Sequence, residues 1–148
     1  MSAMHNLMQS LLARPAMQTP VMRGLMGRCP KCGEGKLFRA FLKVADNCPA
    51  CGEAMHHHRA DDFPAYLVIV IVGHIVVAAT LGVEAAFAPP LWLHAVIWLP
   101  VTTAMALGML QPVKGAVVAY QWEHGMEGFG PAKQLRDASM SPAAAAAI

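Results

Sequence analysis

The sequence predicts a small zinc-ribbon-like module with short strands, followed by an all-α hairpin of two transmembrane helices. All four cysteines fall within one short segment, at Cys29, Cys32, Cys48 and Cys51. The apolar residues are concentrated later, between Phe63 and Leu110. The chain is 56% hydrophobic and only 14% charged, whereas a soluble domain carries about 25% charged residues. A single soluble core does not explain this separation.

The cysteine segment follows a stretch, 1–22, that is predicted to be a flexible N-terminal tail. The module itself is assigned to 23–58 and holds two C-P-x-C-G units. Two cysteines separated by two residues can both face one ion from a tight turn. The glycine after them can adopt the left-handed backbone conformation that follows such a turn. The 15 residues between the two pairs are long enough for two short strands, or for a strand and a loop.

Four thiolates from two such turns complete a tetrahedral Zn²⁺ shell and leave no open coordination position. The spacing C-x2-C-x15-C-x2-C is typical of a structural zinc site. A module of this size cannot bury a sufficient core alone, so metal binding is expected to supply folding energy on the order of 10 kcal/mol. Iron is the minor alternative, because rubredoxin-like sites use the same turn. Two disulfides are a further alternative, which a cytoplasmic location disfavours.

Two apolar stretches predict the transmembrane hairpin, which is assigned to 59–111. The first span, 65–88, contains 24 residues, and the second, 91–110, contains 20. At 1.5 Å per residue, each has the length needed for a hydrocarbon layer of about 30 Å. The dipeptide Pro89–Pro90 between them cannot continue a helix and is predicted to form the turn.

The region after the second span is predicted to lie outside the bilayer. The segment 112–124 begins with a proline and places apolar residues at helical spacing, which predicts a short helix along the inner membrane surface. Simple continuation of the second span into water is the alternative. The remaining stretch, 125–148, ends in a run of alanines and is predicted to be a flexible tail.

The distribution of basic residues predicts the orientation. Eight of the eleven lysines and arginines precede the first span, three follow the second, and none lies in the turn. The positive-inside rule therefore places both termini in the cytoplasm. Basic residues around a zinc ribbon also suggest nucleic-acid binding as a less favoured alternative, although attraction to anionic lipid explains them equally well.

The junction between the module and the first span is rich in ionisable side chains. Asp61 and Asp62 precede Pro64 and are predicted to cap the first helix, with Arg59 close by. Three adjacent histidines are candidates for transient binding of a transition metal: His56, His57 and His58. Such neighbours cannot all face one ion in regular structure, so contact with lipid phosphates or with the ribbon is the other interpretation.

Glu84 and His94 form a candidate ionisable pair within the apolar region. They lie at similar depth on either side of the proline turn, which predicts either a hydrogen-bonded pair or an outward-facing ion site. The role of His74, deeper in the first span, is left open. With only two spans, the hairpin is expected to pack against another copy or against a larger membrane partner.

Three blocks of the sequence resemble a known family: "RGLMGRCPKCGEGKLFRAFLKVADNCPACG", "HHHRADDFPAYLVIVIVGHIVV" and "QPVKGAVVAYQW". Together, across about 22–122, they resemble the bacterial domain-of-unknown-function family 983. The resemblance implies a short protein of the bacterial cytoplasmic membrane, with the four cysteines as the metal set. Some bacteria encode members among genes for cytochrome c oxidase and its assembly, so the resemblance also implies a link to respiratory-complex biogenesis.

We therefore predict a non-enzymatic integral membrane protein whose cytoplasmic zinc ribbon docks a partner, as an accessory or assembly factor for a respiratory oxidase. The sequence contains no nucleophile–base motif, phosphate-binding glycine loop or open metal site that would indicate an enzyme. One alternative is a metal-handling protein that passes copper or zinc through the three histidines or the Glu84–His94 pair. The other is a membrane-tethered zinc ribbon that binds nucleic acid.

Overall fold

The computed structural model describes residues 19–140, in which a cysteine-rich region precedes two long helices. The elements are α1 Pro20–Leu25, β1 Phe38–Ala40, β2 Lys43–Val44, α2 Phe63–Phe87, α3 Leu91–His124 and α4 Phe129–Met140. The strands β1 and β2 pair antiparallel, and two isolated bridges, Arg28–Lys36 and Asn47–Ala54, lie outside them. The prediction of two short strands between the cysteine pairs is therefore confirmed.

The helices α2 and α3 are long and apolar enough to cross a membrane, by length and composition. Pro89–Pro90 separates them as predicted, since α2 ends at Phe87 and Ala88 takes a left-handed conformation with φ 43°. The most apolar windows of the two helices are only 11% and 0% buried within the chain. A core helix of a soluble domain would be mostly buried, so these helices do not form such a core.

The helix α3 does not stop where the second span was predicted to end. It runs without interruption to His124, through Pro100 and Pro112. The separate surface helix predicted for 112–124 is therefore not present, and the structure shows the alternative, a continuation of the second span. A proline inside a helix costs about 3 kcal/mol. At Pro112, contacts of α3 with α1 and the cysteine region can offset that cost. Of the apolar residues at helical spacing in 112–124, Val117 is buried in protein, Val113 and Ala116 are half-buried, and Tyr120 is exposed. Three neighbours of this set are buried as well: Gly115, Val118 and Ala119.

The core of the molecule lies where the cysteine region meets the last third of α3. Leu37, Val44 and Met55 from the cysteine region are buried together with Val117 and Val118. The cysteine region is therefore packed on α3 as a fixed part of the fold. This contact explains why a segment with so few residues of its own can hold two short strands.

The helix α1 crosses α3 at a point where two glycines meet. A Cβ added to Gly24 would collide with the carbonyl oxygen of Gly115, and a Cβ on Gly115 would collide with that of Gly24. Only glycine permits this backbone contact. The N-terminal tail predicted for 1–22 thus overlaps the start of α1, and the rest of that prediction, at 1–18, lies outside the described residues.

Two further expectations differ from the structure. The C-terminal tail predicted for 125–148 contains α4, which begins at the buried Phe129; residues 141–148 lie outside the described part. Asp62 occupies the N-cap position of α2, yet its side chain makes no capping hydrogen bond, and Asp61 lies one residue further from the helix. Capping side chains accept from the second or third helical N–H and need an extended backbone. Here the second position is Pro64, which has no N–H, and the backbone of Asp62 is helical, with φ −94° and ψ −26°.

Candidate metal centre

Two turns of the same construction carry the cysteines. In the first, the N–H of Gly33 donates to the carbonyl oxygen of Cys29 at 2.9 Å, and in the second the N–H of Gly52 donates to that of Cys48 at 2.9 Å. Gly33 has φ 76° and Gly52 has φ 71°, a region that other residues rarely adopt. The predicted left-handed glycine after each cysteine pair is therefore confirmed, and it turns the chain so that both thiols of a pair face inward.

The four thiols converge at one point between the two turns. All four Sγ atoms lie within 4.8 Å of one another. The distance from Cys29 Sγ to Cys51 Sγ is 3.8 Å, and that from Cys32 Sγ to Cys48 Sγ is also 3.8 Å. Zinc–sulfur bonds of about 2.3 Å in a tetrahedron give an edge of about 3.8 Å, whereas a disulfide needs about 2.05 Å. The four cysteines can hold a metal ion, and they are not disulfide-bonded.

The local environment treats the four sulfurs differently. Hydrogen bonds from the backbone N–H groups of Gly35 and Glu34 lower the pKa of Cys32 to about 6. Burial raises the pKa of Cys29 and also that of Cys51. A thiol whose pKa is raised in this way becomes a thiolate when a cation is beside it. The arrangement therefore favours a metal ion that balances the charge of the four sulfurs, of which those of Cys29 and Cys48 belong to buried residues.

Glu53 joins the second cysteine turn to the first and to α3. Its carboxylate receives a salt bridge from Lys31 at 2.8 Å and a hydrogen bond from the indole N–H of Trp122 at 2.9 Å. Its side chain is only 10% exposed, and its own carbonyl oxygen accepts from the N–H of Cys48 at 2.8 Å. The position of the metal-binding turns is thus tied to the end of α3.

The role of Glu53 was missed in the sequence. An acid directly after the second C-P-x-C-G unit, with a lysine inside the first, is a signal that could have indicated a bridge between the turns. No local pattern points to Trp122, because 69 residues separate it from Glu53.

Several basic residues of the module contact the module itself. The guanidinium of Arg23 donates to the carbonyl oxygens of Pro30 at 3.1 Å and Lys31 at 2.9 Å, and that of Arg28 donates to Gly33 at 3.4 Å. Arg39 lies 3.6 Å from the exposed carboxylate of Asp46. These contacts give Arg23 and Arg28 a role in holding the cysteine turns, since both donate to carbonyl oxygens there.

The junction residues are held by the end of α3, but they do not gather on one ion. The side-chain amide of Gln121 bonds to the N–H of Arg59 at 3.1 Å and to its carbonyl oxygen at 3.3 Å. The rings of His56 and His57 are 4.0 Å apart between centroids, while Nδ1 of His58 lies 2.9 Å from the carbonyl oxygen of Met55. Among residues 19–140, the four cysteines are the group whose ligand atoms are close enough for a metal.

The predicted pair of Glu84 and His94 forms a hydrogen bond. Nε2 of His94 lies 2.9 Å from a carboxylate oxygen of Glu84, and the indole N–H of Trp98 donates to Nδ1 of His94 at 3.1 Å. Because Nδ1 accepts, the ring proton is on Nε2 and is donated to Glu84. Both ring nitrogens of His94 are therefore engaged, which is unfavourable for metal transfer. His74 lies elsewhere, with Nδ1 2.7 Å from the carbonyl oxygen of Val70.

A four-thiol module packed on one of two helices that are long and apolar enough to cross a membrane defines the class of this protein. Within that class, the chain belongs to the family described as "Protein of unknown function (DUF983)", whose family model matches residues 38–122. The match confirms the resemblance but begins later than the quoted blocks, so Cys48 and Cys51 lie inside it and Cys29 and Cys32 precede it. No curated protein and no solved structure matches the chain.

Proposed function

We propose that this protein is a non-enzymatic docking protein of the bacterial cytoplasmic membrane, in which a zinc ribbon is held at a fixed position beside the bilayer to bind a partner. The observation that carries the proposal is the attachment of Glu53, which directly follows the second cysteine turn, to Trp122 on α3. A module on a flexible linker could take any orientation, whereas this one has a defined orientation relative to the helices. Fixed orientation is what recognition of a second membrane protein requires.

Zinc is the metal we assign to the four cysteines. The sulfur-to-sulfur distances of 3.8 Å suit a closed tetrahedral site, and a closed site is structural, with no open position for substrate. Iron fits four sulfurs as well and remains the alternative metal. The resulting role of the ion is to hold the two turns together and so to shape the docking surface.

The helices α2 and α3 are proposed to form a transmembrane hairpin with both termini in the cytoplasm. At 1.5 Å per residue, the 34 residues of α3 span about 51 Å, and a hydrocarbon layer is about 30 Å thick. The last third of α3 therefore projects from the layer, and this is the part on which the ribbon packs. The basic residues of the module lie on the same side, in agreement with the positive-inside rule.

A respiratory oxidase or one of its assembly factors is the partner that we propose. Support for this choice comes from the family resemblance and its gene neighbourhoods in bacteria, and the ribbon offers a contact point. Phe41, at the turn between β1 and β2, is 56% exposed, and an aromatic side chain in that position is suited to an interface.

The test is to purify the tagged full chain from its native membrane in a mild detergent, and to measure bound metal and co-purified proteins in one sample. We expect one zinc per chain together with oxidase subunits or assembly factors. Phe41→Ser should keep the zinc and lose the partner, while Cys48→Ser should lose both and remain in the membrane. Recovery of a zinc-loaded protein alone would contradict the docking role.

A further inference from the structure

A polar cleft of about 430 Å³ opens where the cysteine region meets the start of α2. The junction contributes His56–His58, Arg59 and Asp61, and the loop after α3 contributes Glu127 and Gly128. The cleft thus combines the guanidinium of Arg59 and three imidazoles with the two carboxylates of Asp61 and Glu127. It is separate from the four cysteines and from the Glu84–His94 pair.

The backbone that lines this cleft is held in place, while its charged side chains are available to bind a ligand. The backbone of Arg59 is held on both sides by Gln121, and Glu127 is kept at φ 52° beside the buried Phe129. A left-handed conformation costs a residue other than glycine on the order of 1 kcal/mol and persists only where the surroundings impose it. Within residues 19–140, the side chains of Arg59, Asp61 and Glu127 form no ion pair with one another or with other residues.

The position of the cleft relates it to the membrane surface. Asp61 lies two residues before Phe63, where α2 begins, so the cleft is level with the inner interface if α2 crosses the bilayer. Phe63 and Tyr66, in the first turn of α2, are 57% and 66% exposed. Aromatic side chains are typical of this depth in a membrane, and they provide a surface for acyl chains next to the cleft.

We propose that the cleft binds the headgroup of a phospholipid that carries both a phosphate and a primary ammonium, as phosphatidylethanolamine does. The guanidinium of Arg59, assisted by the imidazoles, donates to the phosphate oxygens. The carboxylates of Asp61 and Glu127 accept hydrogen bonds from the ammonium. The inference rests on the proposed membrane insertion, and it adds a specific lipid to the protein's partners.

The same groups discriminate among headgroups. A choline group has no N–H to donate to the two carboxylates and is bound in proteins by aromatic cages. A glycerol headgroup leaves a net negative charge beside Asp61 and Glu127, which is unfavourable. Ethanolamine is the common headgroup whose two charges match both sets of residues, so a preference among lipids of equal abundance is the signature of this site.

The experiment uses the zinc-loaded full chain in nanodiscs with equal amounts of phosphatidylethanolamine, phosphatidylcholine and phosphatidylglycerol. The lipids that stay bound on release into the gas phase are counted by native mass spectrometry. We expect phosphatidylethanolamine to be retained in excess. Arg59→Gln and Glu127→Gln should each reduce its retention about tenfold, the effect of one charge-assisted hydrogen bond.

Arg39→Gln is the matched control, because Arg39 faces Asp46 on the ribbon and should leave retention unchanged; zinc content reports that each variant is folded. Equal retention of the three lipids, or a preference for phosphatidylglycerol that Glu127→Gln does not affect, would overturn the inference while leaving membrane insertion intact. A chain that stays soluble and monodisperse without detergent or lipid would overturn the proposed function as well.

Discussion

The two ends of this molecule follow different physical rules. The cysteine region packs apolar residues such as Leu37 and Met55 against Val118 of α3 in one small core, and all three are fully buried. The apolar stretches of α2 and α3 leave most of their side chains exposed, with 11% and 0% of their most apolar windows buried. The first region shares a buried interior with the end of α3, whereas the apolar stretches of the two helices bury little within the chain.

This difference identifies what stabilises each region. A core as small as that of the cysteine region does not offset the entropy of ordering the chain, so under the proposed function an ion at the four sulfurs would carry much of the stability. The proposed membrane would in the same way stabilise the apolar helices, because a bilayer covers apolar side chains and a helix satisfies its own backbone hydrogen bonds. Substitutions in three places should therefore have separable effects on stability and metal binding. The effects should be largest at the cysteines, smaller at the contact between the two regions, and smallest at the far end of the helices.

The largest effect is expected from Cys48→Ser. Loss of one of four thiolates should abolish stable metal binding and unfold the cysteine region, which forfeits folding free energy on the order of 10 kcal/mol. Metal per chain is measured by mass spectrometry of the elements, and exposure of the region by limited proteolysis. The helices should keep their far-ultraviolet circular dichroism.

The control for this variant is the wild type stripped with a chelator, which should regain protease resistance when zinc is returned. A Cys48→Ser protein that stays metal-loaded and protease-resistant would show that the sulfurs do not hold the region together. Loss of the helical signal as well would show that the two regions fold as one unit.

The next effect is expected at the crossing of α1 and α3, from Gly115→Ala. A Cβ there collides with the carbonyl oxygen of Gly24 and lies 3.3 Å from the ring of Phe38, so the free energy of unfolding of the packed region should fall by about 1–3 kcal/mol. This change is measured by thermal unfolding, with protease sensitivity as the readout. Gly108→Ala is the matched control, because a Cβ at Gly108 has nothing within 4 Å and should be neutral or stabilising. Equal destabilisation by both would contradict the close contact.

A smaller effect is expected from Trp122→Phe, which keeps an aromatic side chain, although a smaller one, and removes the hydrogen bond to Glu53. Removal of a group that orients metal ligands typically lowers the metal affinity by about 10–100-fold. Because the cysteine turn keeps its other contacts, we expect a loss of about tenfold, at the low end of that range. Competition with a chromogenic chelator measures the affinity. Tyr120→Phe serves as the control, since Tyr120 is 49% exposed and its change should leave the affinity as it is.

Local patterns in the sequence predict the parts of this structure that depend on local chemistry. The cysteine spacing predicts the four converging thiols, and the glycines after each pair predict the left-handed turns. The apolar stretches and Pro89–Pro90 predict where α2 ends and α3 begins. Each of these follows from residues that are neighbours in the chain or that repeat at a fixed spacing.

The parts that were not predicted depend on contacts between distant segments. Pro112 looks like the start of a new helix until α1 and the cysteine region pack against it, and the apolar face of 112–124 looks like a membrane surface until the same packing is known. Glu53 and Trp122 are individually unremarkable in sequence, and only the fold brings them together. The contact between Trp98 and His94 is the exception among the features that were not predicted, because it is local. Residues four apart on a helix place their side chains next to each other.

The smallest effect is expected from Trp98→Phe, at the far end of the helices. It removes the N–H that bonds to Nδ1 of His94 within α3. Hydrogen bonds between helices of membrane proteins contribute about 0.6 kcal/mol on average, and a bond within one helix is expected to contribute no more than that. Thermal unfolding in detergent should shift slightly, and zinc affinity should remain that of the wild type. Trp92→Phe is the control, because Trp92 is exposed and should change neither quantity. A loss of zinc affinity in Trp98→Phe would mean that the Glu84–His94 end communicates with the metal through α3, and the two regions would then have to be treated as one cooperative unit.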